Sequence, residues 1–451
     1  MIAILCASLS GLAFFASTGL GVIWPLAFVA AGPVLWLAFG PTRGRVVALA
    51  AFAAFAIGRT NLLPATHDIL SVTALAAAIL KPSLLFALVV LAARRIQRRL
   101  GDMAAMLAFA ALWTGVEFLF GYSSLDLSLG PALAAVPMLA QSASLFGQWS
   151  LTFLLCIVPA GIALFYRTGA MLPLALSLGL FFANALFGAL RPTDDANTIR
   201  VGLVVAEDLK GKDNNAIATA DAYSTLIGSI AERAPALIIL PEHIIRLEPP
   251  VRATALTKLS EAAKNAHATV IVGVEDMSPG GGRNLALVFA ADGDASQTYL
   301  KRTGAGNAHP GTASLVLGNG AALTIGEDAE LAQSLRADVT SATRLLAVSA
   351  ADNEEDAADR ARIAILRGIE NGVAVARVAS HGLLTLNDRY GRLVNRRTST
   401  GDAPMTLVGD LPVPLKGGQT LYNRMGDVFA WIALLAGVAL FLRSFKRTKG
   451  R

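Results

Sequence analysis

Seven apolar stretches crowd the first 190 residues, at 2–18, 22–39, 46–63, 70–93, 104–120, 139–166 and 171–190, and an eighth follows at 428–442. Each approaches the roughly 20 apolar residues that carry a helix across the hydrocarbon core of a bilayer. So many consecutive apolar segments exceed what a soluble domain buries, and the expectation is a membrane bundle of about eight transmembrane helices. Composition agrees: 54% of the 451 residues are hydrophobic and 16% charged, where soluble domains carry about a quarter charged.

Basic residues in short loops set the orientation of such a bundle. Arg43 and Arg45 follow the second stretch, Arg94, Arg95, Arg98 and Arg99 the fourth, Arg167 the sixth, and Arg443, Lys446, Arg447, Lys449 and Arg451 the eighth. Around the odd-numbered exits only Arg59 and Arg191 occur. The amino terminus is therefore expected inside, and the polar segment between stretches seven and eight outside, which in a Gram-negative inner membrane is the periplasmic face. The same clustering accounts for the net charge of +6. No aromatic-basic alternation marks a nucleic-acid face, so no nucleic-acid partner is expected. Glu117, in LWTGVEFLFG, is costly at membrane depth unless it faces a partner or a wet cavity. Cys6 and Cys156 are the only cysteines and both sit in apolar stretches, which leaves the polar segment neither a disulfide nor a Cys-based zinc site. Cys6 reads as a small residue of a membrane helix, since no basic region precedes it as in a lipoprotein signal.

The chain thus divides into a membrane part at 1–196, a polar domain at 197–417 and a last membrane helix with a basic tail at 418–451. In the domain, strand-length runs at 199–206, 236–243 and 269–276 alternate with helical stretches, including 254–266. Further strands read at 285–290, 297–301, 322–326, 344–350, 373–379, 383–388 and 405–410, with a helix at 356–371. Alternation of this kind predicts an α/β layered domain with a mixed sheet. Such folds place chemistry at strand ends, where Glu242 closes ALIILPE, Lys301 closes QTYLK and Gly326 closes ALTIG. No Gly-rich phosphate loop or metal-ligand cluster is present in the sequence, and no cofactor is expected.

Several of these segments resemble the bacterial apolipoprotein N-acyltransferase family of the nitrilase (carbon-nitrogen hydrolase) superfamily. They are GLGVIWPLAFVAAGPVLWLAFG, LWTGVEFLFG and QSASLFGQWSLTFLLCIVPAGIAL in the membrane part, then LPEH, YLK and ARIAILRGIENGVAVARVASHGLLTLNDRYGRLV in the domain. In the last of these, Arg367, Glu370, Asn371, Gly372, Arg377, Gly382, Asp388 and Gly391 stand in family-like order. The resemblance implies an αββα sandwich, two sheets between outer helices, and a Glu-Lys-Cys triad. In such a triad a carboxylate takes the thiol proton, an ammonium stabilises the oxyanion, and the thiolate forms a thioester. It also implies a membrane phospholipid as acyl donor and the amino terminus of a lipoprotein as acceptor, with the protein acting as a monomer.

Carried over by position, Glu242 is the general base and Lys301 the oxyanion-side ammonium. The cysteine position falls on Gly326, or on Ile325 after a one-residue shift, with Asp328 in place of the glutamate that follows in the family. Neither residue is a nucleophile. The segment between Lys301 and Gly326 lacks the PFGE element and puts His309 where a second active-site glutamate falls, an auxiliary acid-base candidate. Thr324 and Ser349 are the hydroxyls in position to substitute, with the handicap that a hydroxyl is a poorer nucleophile than a thiol. Three readings remain open. The first is a catalytically degenerate homologue binding lipid or lipoprotein, and the second an acyltransferase or hydrolase with an atypical nucleophile. The third is an accessory protein of a plasmid conjugation apparatus, since TraB-type transfer proteins are also nitrilase-like membrane proteins.

Overall fold

The computed structural model describes every residue except 22, 67–69, 122–127, 193–196, 207–214, 279–281, 303–314, 319, 327–331, 400–402 and 447–451. Its contacts separate two units, Met1–Arg191 with Met425–Arg451, and Pro192–Arg424. Within the first, five described helices are long and apolar enough to cross a membrane: Gly44–Thr66, Val72–Leu100, Asp102–Gly121, Gln148–Thr168 and Met171–Ala189. Three apolar helices are shorter, Ile2–Ser17, Trp24–Ala38 and Val428–Arg443.

Three of the expected spans are not continuous α-helices; over 46–63 the helix Gly44–Arg59 passes into a 3-10 turn, Thr60–Leu62. Over 22–39 the chain forms a 3-10 segment, Trp24–Phe28, and then a helix, Gly32–Ala38, each with a proline in its first turn. Over 139–166, Gly147 adopts φ +70° between the short helix Ala143–Phe146 and the long helix Gln148–Thr168. A glycine at positive φ with extended ψ interrupts the helical repeat, and hydrophobicity alone reads straight through it. Small residues let the helices approach: a Cβ on Gly11 would lie 2.8 Å from Ile57 Cβ, and one on Gly58 2.5 Å from Phe14 Cβ. Phe14, Phe55, Phe86 and Trp113 then stack around one another with ring centroids 4.8 to 5.5 Å apart. Glu117, buried in this unit, finds its partners there. Its carboxylate accepts from Trp113 Nε1 (2.8 Å), Thr152 Oγ1 (2.6 Å) and the Leu129 amide (3.1 Å), which satisfies the demand its depth imposes.

The second unit contains two mixed sheets. The first is built from β1 (Asn197–Val205), β2 (Leu237–Ile239), β3 (Ile245–Leu247), β4 (Thr269–Asp276), β5 (Arg283–Phe289), β6 (Ala295–Leu300) and β13 (Met405–Val413). Their order is β13-β1-β2-β4-β5-β6, with β3 also paired to β4. The second sheet contains β7 (Leu315–Val316), β8 (Ala321–Ile325), β9 (Leu345–Ala351), β10 (Ala374–Ser380), β11 (Leu383–Asn387) and β12 (Leu393–Thr398), in the order β12-β11-β10-β9-β8-β7. Strands β1, β2 and β4 run parallel, as do β8, β9 and β10.

Side-chain alternation decides the layering. Leu203, Ile239 and Val288 of one sheet meet Leu323, Ala347 and Val378 of the other in a single buried core. The opposite faces are covered by helices. Ala216–Ala231 and Pro249–Ala266 pack through Tyr223, Ile227 and Leu259 on the first sheet, and Leu335 and Ala364 on the second. The result is the αββα sandwich that the resemblance implied. The family-like run around Arg367 is part of this frame. Arg367 pairs with Glu370 one turn on, Asn371 Nδ2 donates to the Arg367 carbonyl (2.9 Å), and Gly372 at φ +66° ends the helix.

Candidate functional site

Four strand ends of the α/β unit converge on one cavity. After β2, the Leu240 amide donates to Ile271 O (2.9 Å) and the Glu242 amide to Ala350 O (3.2 Å), so the turn bearing Glu242 is tied to both sheets. Gly273 permits that approach, because a Cβ there would lie 2.5 Å from Glu242 Cα. After β6, the Lys301 amide donates to Asn284 O (3.0 Å), and Lys301 Nζ reaches Glu242 Oε1 at 2.8 Å with both side chains buried. Gly326 ends β8 at φ +34°, a conformation that favours glycine. With His243, Ala351, Asp352, Arg360 and Arg377, these three residues line a cavity of about 210 Å³.

Glu242, Lys301 and Gly326 are thus brought together. A Cβ built on Gly326 would stand 2.5 Å from Glu242 Oε2. The carboxylate occupies the space into which a side chain at 326 would project. Ile325, the other position for a nucleophile, is buried in the core between the sheets. Thr324 is fully buried, with no hydrogen-bond partner for its hydroxyl among the described residues, and the Ser349 hydroxyl donates to Leu240 O (2.7 Å). Neither lines the cavity, and the described residues that do line it include no thiol and no hydroxyl. His309 and Asp328 lie outside the described residues.

The electrostatics of Glu242 follow from its neighbours. Burial pushes its carboxyl up, but the hydrogen bond to His243 and the charge and hydrogen bond of the Lys301 ammonium outweigh this and hold it down at about 2. A carboxylate so stabilised is a weak base near neutral pH, where a useful general base titrates close to the working pH. The pair is an ion pair first.

Four contributors to the site escape the sequence reading. His243 adopts φ +56° and places Nε2 2.9 Å from Asn284 Nδ2 and 3.3 Å from Glu242 Oε1. The Asn284 amide also donates to Glu242 Oε1. Asp352 is gripped by Arg377 through two bonds, 2.9 and 2.6 Å, both side chains being buried. His243 is the last residue of LPEH, and Asp352 lies two residues past the strand read at 344–350, so adjacency was the available signal. Arg377, inside β10, was marked only as part of the family-like run and not as a site residue, and Asn284, the second residue of β5, carries no local mark. Among the described residues, no group of three or more His, Cys, Asp or Glu is placed to hold a metal ion.

Comparison with known proteins adds to this picture. The apolipoprotein N-acyltransferase N-terminal domain family matches residues 10–161. An apolipoprotein N-acyltransferase of Geobacter metallireducens is 31% identical over 83 residues, 18% of this chain and 15% of the relative, so the chain spans about a seventh of that curated relative in the match. Among solved structures, a mutant amidase from Nesterenkonia sp. AN1 in complex with butyramide aligns at a TM-score of 0.41 and 18% identity, covering 49% of this chain and 94% of that one. Another mutant of that amidase, described as from the nitrilase superfamily, aligns at 0.40 and 18% identity, covering 49% and 93%. Through its matched residues 10–161 and the segments quoted above, the chain is similar to the apolipoprotein N-acyltransferases.

Proposed function

We propose that this chain is an apolipoprotein N-acyltransferase-like protein of the bacterial inner membrane whose α/β domain, on the periplasmic side, has lost covalent catalysis. It binds phospholipid or a lipoprotein amino terminus at the vacated site. The observation that carries this reading is the Glu242–Gly326 approach. The acid that in the family activates a thiol here fills the space of the missing side chain, and its low pKa suits a partner of Lys301 better than a proton acceptor. Loop-charge asymmetry supports the periplasmic placement.

Restoring the thiol tests the reading. The added Cβ meets the far end of a flexible carboxylate, and the left-handed backbone costs about 1–2 kcal/mol, so Gly326→Cys is expected to fold. Incubated with phospholipid, the wild type should yield no hydroxylamine-sensitive fatty-acyl adduct, whereas Gly326→Cys should yield one. An adduct on the wild type would overturn the loss of covalent catalysis. A folded Gly326→Cys protein without an adduct would overturn the lipid site.

A further inference from the structure

The unit Pro192–Arg424 is acidic overall, with 27 acidic and 23 basic residues, a net of −4. One segment reverses that sign. Residues 389–401 hold Arg389, Arg392, Arg396 and Arg397 and no acid. Within it lies β12, the end strand of its sheet, paired to β11 alone. All six of its residues are exposed, including Leu393 at 54% and Val394 at 41%. The register with β11 shifts at Val394, so Leu393, opposite Asn387, shares a face with Arg396, opposite Thr385, while Arg397, opposite Leu384, faces the other way. Charge on an end strand ordinarily guards against edge-to-edge pairing, but that role gives no reason to expose a leucine and a valine beside it. Arg396 and Arg397 make no ion pair with any described residue.

The turn into β12 is fixed. Asp388 Oδ1 accepts from the Tyr390 and Arg392 amides (2.9 and 2.8 Å), and the Arg392 guanidinium donates to Pro192 O (2.6 Å). Pro192 is three residues past Ala189, the end of the apolar helix Met171–Ala189, and three residues reach at most about 11 Å. The backbone that anchors this turn is thus three residues along the chain from the end of a helix apolar enough to cross a membrane.

We propose that β12 is a lipid-contacting surface that takes the head groups of anionic phospholipids. Guanidinium groups suit phosphate oxygens through their planar fork of donors, and an apolar pair flanked by arginines suits the boundary between head groups and acyl chains. The proposal goes beyond the function proposed above and does not depend on the state of the cavity.

The test uses the full chain in lipid nanodiscs. The two native cysteines are buried and are replaced by alanine, and a nitroxide is attached at Val394→Cys. In discs containing phosphatidylglycerol, collision of the label with oxygen should rise and collision with a water-soluble nickel chelate should fall, relative to discs of phosphatidylcholine alone. Two arginines at an anionic surface shift the bound-to-free ratio by roughly 30-fold, so Arg396→Gln with Arg397→Gln should return the label to its behaviour in phosphatidylcholine. Raised salt should weaken the contact in the same direction. Identical profiles in the two lipids, or a profile unmoved by the double substitution, would overturn the proposal. A label already shielded in detergent without lipid would do so too, because β12 would then be covered by protein.

Discussion

Replacing Glu242 by glutamine exchanges a carboxylate for a neutral amide of nearly the same shape beside Lys301 Nζ, 2.8 Å away. Its cost can be estimated in two ways. Glu242 titrates at about 2 instead of 4.5, and at 1.36 kcal/mol per unit that difference is worth about 3 kcal/mol. Removing one member of a buried ion pair independently costs about 3–5 kcal/mol. Because the folded carboxyl is depressed, its contribution is complete above pH 4.5 and is lost as the pH falls from there towards 2. Hydrogen exchange of the β10 amides, in the full chain in detergent, reads the opening of the α/β unit. At neutral pH Glu242→Gln should speed that exchange about 100-fold. In a cycle with Lys301→Met, the double variant should fall short of the summed single losses by about 2 kcal/mol or more. Losses that add to within about 0.5 kcal/mol would refute a coupled pair.

Two further outcomes follow from the geometry. Asp352→Asn leaves the buried Arg377 guanidinium facing an amide in place of the carboxylate that both its bonds use. It should cost about 3–5 kcal/mol in the same exchange measurement, and a loss below about 1 kcal/mol would show that the bidentate pair does not form. In the helical unit, Glu117→Ala removes the acceptor of Trp113, Thr152 and the Leu129 amide. At roughly 1–3 kcal/mol for each buried donor left unsatisfied, it should expose 128–135 to protease in detergent while β10 exchange stays unchanged. Equal loss of protection in both units would contradict a local role.

The apolar runs announced the long apolar helices, and strand-length runs announced the inner strands of both sheets, because burial leaves a trace of length and period in the chain. Elements without that trace stayed hidden. β12 is exposed on both faces, so no alternation marks it, and β3 and β7 span three and two residues, too few for a period to show. Gly147 splits a hydrophobic run through a backbone angle that hydropathy does not record.

Strand-end positions marked Glu242, Lys301 and Gly326, and the family resemblance joined them into one site and left the third without a nucleophile. Tertiary structure decided how they meet. The Glu242 carboxylate enters the space beside Gly326 because Gly273 lets the turn after β2 press inward and the Glu242 amide binds Ala350 across the sheets. His243, Asn284, Asp352 and Arg377 joined the site by the same route. Periodicity along a chain records which face of a strand is buried, whereas the meeting of distant strand ends depends on register and packing between sheets, which no local stretch of sequence encodes.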